Sequence, residues 1–236
     1  MRILLALLAA LLAGPGRAEA SFVTIALEWG EGSALLHLPS PDYPTPPIVL
    51  ILPDALRADA RYDRYTEHLL ASGIAVIIPQ SDDTPADAVI IAARRNATLD
   101  AARMGVLAFG AGGAAALTAA VGPTALLYPG CASLPRLRVP QPILLLHGDA
   151  DEANPLGACG ETAMFWGLTG APVEHGVLRD AGCAFDMEPL GGFRRALLPA
   201  PGLPNRVAVV PNPVMAEHAA DLVAQFFRIR LSGEGS

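Results

Sequence analysis

Ala108-Phe109-Gly110-Ala111-Gly112-Gly113 follows an apolar run that begins at Gly105, and it leads into the alanine-rich stretch from Ala114 to Ala120. A strand, a sharp turn and a helix that starts on small residues form the setting of a nucleophile elbow, normally G-x-S-x-G. The glycines let the helix pack close to the strand. The turn forces its apex residue to positive φ. The apex here is Gly110, which carries no side chain.

Around this stretch, strands and helices alternate. Ile48–Leu52, Ile74–Ile78, Gly105–Phe109, Thr124–Tyr128, Ile143–His147 and Val173–Leu178 read as buried strands, the last being the final strand of the chain. Helices are expected over Arg61–Ser72, from Thr84-Pro85 as N-cap and first position, over Gly113–Val121 and Cys159–Thr169, and from Asn212-Pro213 through Phe227. Val23–Leu27 and Ser33–Leu38 flank Trp29-Gly30-Glu31-Gly32 as an antiparallel hairpin. The pattern is an α/β fold with a mostly parallel central sheet, helices on both faces and an N-terminal hairpin. Functional residues of such a sheet lie in the loops after the strands' carboxyl ends.

The 236 residues are 52% hydrophobic and 17% charged, which excludes a disordered chain. A net charge of −7 repels phosphates and excludes nucleic acid as a partner. Met1-Arg2, the apolar run Ile3 to Ala13, the Gly14-Pro15-Gly16 break and Ala18-Glu19-Ala20 read as a secretory signal peptide, residues 1–20. That leaves one domain, 21–236, expected to be exported (periplasmic or secreted) and without stable membrane insertion after cleavage. Three cysteines in an oxidising compartment imply one disulfide and one thiol.

Two further strand ends carry chemistry. His147-Gly148-Asp149-Ala150-Asp151 places a carboxylate, Asp151, past a central strand, where a triad acid belongs. Asp180-Ala181-Gly182-Cys183-Ala184-Phe185-Asp186 follows the next strand, where a triad histidine belongs, and Cys183 stands in its place. Gly110-Ala111-Gly112-Gly113-Ala114-Ala115 also satisfies a dinucleotide fingerprint. No acidic residue lies between Asp100 and Asp149 to hold a ribose, so a nucleotide cofactor is rejected. No cofactor is expected. Asp151, Cys183 and His147 are ligand types without a recognised metal spacing, so no metal is expected either.

With these residues in view, the chain resembles the dienelactone hydrolase family of α/β hydrolases, and within it the exported bacterial members. Ala108 to Gly113 is similar to G-F-S/C-x-G-G, His147 to Asp151 to H-G-x-x-D, and Gly182 to Asp186 to G-H-x-F-D. Tyr128-Pro129-Gly130-Cys131 is similar to that family's strand end. The resemblance implies an α/β-hydrolase fold and a site in which Asp151 is the retained acid. Gly110 is then the lost nucleophile position and Cys183 the lost histidine position. An oxyanion hole would use backbone N–H groups of Ala111 and of a residue near Asp54. Cys131 and Cys159 are expected to pair, as exported relatives do, with pairing through Cys183 the alternative.

Glycine can neither attack an acyl carbon nor pass a proton. The reading that follows is a catalytically inactive hydrolase-like protein that binds a small ligand or an envelope partner in the former cleft. The alternative is an ester or lactone hydrolase with Cys183 as nucleophile and His147 as base. It requires a short Cys–His contact and a lowered thiol pKa.

Overall fold

The structure is a computed structural model, described here for residues 23–29, 32–40, 45–54, 61–81, 84–187, 197–199 and 203–232. The expected signal peptide lies outside the described residues. The strands are β1 (Val23–Trp29), β2 (Gly32–Leu38), β3 (Ile48–Leu52), β4 (Ala75–Pro79), β5 (Met104–Phe109), β6 (Thr124–Leu127), β7 (Ile143–Gly148), β8 (Val173–Leu178), β9 (Leu197–Pro199) and β10 (Arg206–Ala208). The helices are α1 (Arg61–Ala71), α2 (Ala86–Arg95), α3 (Gly112–Ala119), α4 (Leu156–Leu168) and α5 (Pro213–Leu231).

Eight strands form one sheet in the order β1-β2-β4-β3-β5-β6-β7-β8. β1 and β2 are the expected hairpin, and β2 joins β4 antiparallel. From β4 to β8 every pairing is parallel. Buried β3, β5, β6 and β7 are apolar on both faces because helices cover both. Val49 and Ile51 pack with Tyr62, Tyr65, Leu69 and Phe227, under α1 and α5. Ile48, Leu50 and Leu52 pack with Val89, Leu117 and Trp166, under α2, α3 and α4. Gly112 is needed for this layering, since a Cβ there would lie 2.5 Å from the Pro53 carbonyl oxygen.

Several boundaries differ from the sequence reading. Val173–Leu178 is not the last strand, because β9 and β10 form a separate antiparallel pair. Three-residue strands carry too little periodicity to be legible. Helix α4 begins at Leu156 rather than Cys159. Its apolar spacing marks only the buried Cys159, Ala163 and Trp166, while its first turn is exposed. Thr84 does not cap α2: Pro85 holds the N-cap position, without a side-chain cap. Asn212 does cap α5, its side chain accepting from Met215 N. That helix runs on past Phe227 to Leu231. Among the described residues, no helix is long and apolar enough to cross a membrane.

Candidate active site at the carboxyl edge of the sheet

The parallel strands end along one edge, and four loops meet there. Gly110 follows β5 at φ +46, the positive-φ apex expected of an elbow. Its N–H donates to Leu127 O at 3.0 Å, and its carbonyl accepts from Gly113 N at 3.1 Å. The turn therefore has the elbow's shape with no side chain at its apex. Ala111 is exposed at the start of α3. Asp54, beyond β3, stands against the apex: a Cβ built on Gly110 would lie 3.0 Å from the Asp54 Cβ. The Asp54 carboxylate is 2.9 Å from Arg61 Nη1. This side of the turn thus carries an ion-paired carboxylate as well as backbone.

Asp151 is 4% exposed. Its carboxylate accepts from Ala153 N and from Asn154 Nδ2, each at 2.9 Å. Asn154 Oδ1 accepts in turn from Gly130 N and Cys131 N, at 2.7 and 3.3 Å. The acid that would orient a triad imidazole instead braces two loops. Burial raises its pKa, opposed by the Asn154 and backbone hydrogen bonds. Cys131 and Cys159 form the expected disulfide, with Cα atoms 5.0 Å apart, and Cys183 is the buried free thiol. The bridge pins the same loop to the buried face of α4.

Cys183 makes an isolated parallel bridge to Val209. Burial pushes its thiol up to about 12, and the charges of Asp151, Asp54 and Asp186 push the same way. Asp151, Asp54 and Asp186 are thus near enough to act on Cys183, and Asp54 also stands against Gly110. His147 Nδ1 faces Gly148 O at 3.0 Å, and its Nε2 lies 2.8 Å from His175 Nε2. The groups that act most strongly on Cys183 are the three aspartates and Arg61. A Cys183 nucleophile requires a lowered thiol pKa and a histidine contact; here burial raises the thiol pKa and His147 is engaged with His175.

Beneath the site runs a buried polar chain whose function the sequence reading left unassigned. Arg61 Nη1 donates to Asp54 Oδ2 and to the Tyr128 hydroxyl, both at 2.9 Å. Tyr128 donates to Asp186 Oδ1 and Tyr65 to Asp186 Oδ2, both at 2.7 Å. Asp186 is 1% exposed; burial raises its pKa, opposed by the Arg61 charge and then the two tyrosine hydrogen bonds. Phe109 closes the apolar side, its ring 5.1 Å from that of Tyr65 and 5.2 Å from that of Tyr62. Tyr128 and Ala184 are held at φ 40 and 49, strain of about 1–3 kcal/mol each. The available signal was Arg61 four residues before Tyr65, a charge on the helix face that turns inward.

Neither the family models nor the curated proteins include a match to this sequence. Solved structures do match. A dienelactone hydrolase-like promiscuous phosphotriesterase from metagenomic libraries superposes with a TM-score of 0.66 at 16% identity, over 90% of this chain and 99% of that one. The chain has the α/β-hydrolase fold. Esterase 2 of Thermogutta terrifontis matches this chain with a TM-score of 0.63 at 13% identity, over 88% of this chain and 94% of the other. A putative dienelactone hydrolase from Klebsiella pneumoniae gives 0.57 at 20%, over 70% and 88%. At the level of fold, these α/β hydrolases agree with the resemblance carried by the three strand-end motifs.

Proposed function

We propose that this α/β-hydrolase chain does not cleave esters or lactones, and that it binds a small ligand or an envelope partner at the edge built by Asp54, Gly110, Asp151 and Cys183. The observation that carries the reading is Gly110 at φ +46 on the elbow, with Asp54 against it. Acyl transfer needs a hydroxyl or thiol at that apex and an imidazole beside it. An oxyanion hole and binding alone give about 10³–10⁴-fold over water, far short of the roughly 10⁶–10¹⁷ of working enzymes. Three aspartates against one buried arginine favour a neutral or cationic ligand over an anionic one. The buried polar floor of Arg61, Tyr65, Tyr128 and Asp186 supports a binding role, because such a floor fixes shape without supplying a nucleophile.

The test uses purified protein with p-nitrophenyl acetate, dihydrocoumarin and paraoxon. Hydrolysis is expected to equal that of the Cys183→Ala variant. Turnover abolished by Cys183→Ala overturns the reading in favour of a thiol hydrolase. A thermal-shift screen of neutral lactones and primary amines tests the binding half, which fails if no compound gives a shift that Asp54→Leu removes.

A further inference from the structure

β1 is the outermost strand of the sheet and pairs only with β2 among the described residues. Its pairing runs unbroken from Val23↔Leu38 to Trp29↔Gly32. It has no proline, lysine or bulge to blunt the edge, and Glu28 is its single charge. One face of the strand is Val23, Ile25, Leu27 and Trp29. The first two are 52% and 39% exposed, whereas Leu27 and Trp29 pack against the core. Beside that packed end, a groove of about 510 Å3 opens between the strand and α2, lined by Leu27, Trp29, Ile91 and Arg95. Ile91 is 49% exposed. On the other face, Thr24 Oγ1 lies 2.9 Å from His37 Nδ1.

We propose that β1 is a dimerisation edge, to which a second copy of this chain adds its own β1 antiparallel about a two-fold axis at Ala26. In this register Val23 faces the partner's Trp29, and Ile25 faces the partner's Leu27. The bare end of each strand therefore reaches the grooved end of the other. On the opposite face, Thr24 faces the partner's Glu28. In the His37 tautomer that carries its proton on Nδ1, the Thr24 hydroxyl hydrogen is left to donate to that carboxylate, and symmetry repeats the contact. Both faces thus complement themselves in one register. A one-residue slip would join the apolar face of one copy to the polar face of the other. Sliding the strands until Glu28 met the partner's Glu28 would oppose like charges. The surface is isologous, as a closed two-fold pair requires.

Sedimentation velocity across the micromolar range should show a dimer that dissociates on dilution. Ile25→Lys should give a monomer with an unchanged circular dichroism spectrum. Ala26→Cys should form a covalent dimer under mild oxidation, since directly opposed Cβ atoms lie about 4.5–5.5 Å apart. Glu28→Cys, which faces Thr24, should not. A monomer at every concentration overturns the proposal. So does a dimer indifferent to Ile25→Lys, or one that cross-links through Glu28→Cys and not Ala26→Cys. The cross-linking readout stands even if Ile25→Lys fails to fold.

Discussion

Asp54 occupies the flank of Gly110: a Cβ added to that glycine would meet the Asp54 Cβ at 3.0 Å and Oδ2 at 3.8 Å. The space beside an elbow's nucleophile is thus partly filled by a residue that is itself anchored to Arg61. The bare apex and its crowded flank fit together, because glycine is the residue that tolerates both the contact and the backbone angle.

Gly110→Ser should therefore destabilise the protein by about 1–3 kcal/mol, through positive φ and the Asp54 contact. It should confer no esterase activity alone, since no imidazole adjoins the apex. Chemical denaturation and p-nitrophenyl acetate hydrolysis check the two halves. Gly110→Ser with Cys183→His is the variant in which activity above background is expected to appear.

The Cys183 thiol should be silent in the folded state. Its pKa is raised from 9.0 to about 12 by burial and then by the neighbouring aspartates. The unfolded chain loses the proton near 9 and the folded chain keeps it. This group's contribution is full below pH 9 and is lost as pH rises toward 12, on the order of 1.4 kcal/mol per pH unit. Iodoacetamide at pH 8 should label Cys183 only after unfolding. Cys183→Ala should flatten the alkaline fall in the denaturation midpoint.

Asp186 holds two buried tyrosine hydroxyls and lies in the field of Arg61. Asp186→Ala leaves both hydroxyls without their acceptor and removes a counter-charge to a buried guanidinium. A loss of about 3–5 kcal/mol is expected. Asp186→Asn should lose less, because it keeps an acceptor. Urea denaturation of the two variants orders them.

The Cys131–Cys159 bridge closes a loop with a sequence separation of 28. Replacing both cysteines by alanine should cost about 3–4 kcal/mol by the chain-entropy relation. The loosening should centre on Asn154 and Asp151, whose loop is tied to the Cys131 backbone. Hydrogen exchange of the Gly130 and Cys131 amides reads it directly. Digestion of unreduced protein should yield the linked Cys131–Cys159 peptide and a free Cys183 peptide.

Sheet and helix periodicity made most of the fold legible, since continuous apolar runs such as Ile48–Leu52 have few other places to go than a covered parallel sheet. The short β9–β10 pair and the exposed start of α4 left too little pattern to read. At the site, the turn at Gly110 with its positive φ was legible because turn chemistry is local, whereas the Asp54 carboxylate paired with Arg61 was not. Nor were the other couplings. Arg61 to Tyr128 and Tyr65 to Asp186 span 67 and 121 residues, and no local rule joins residues that far apart.

The sequence alone determined that no hydroxyl or thiol stands at position 110, because that is a matter of covalent identity at a turn whose shape its neighbours dictate. Only the tertiary structure decided which way His147 faces, how Asp151 is engaged and what surrounds Cys183. Side-chain direction at a strand end depends on the packing of distant segments, and the burial that shifts a titrating group exists only after those segments have come together.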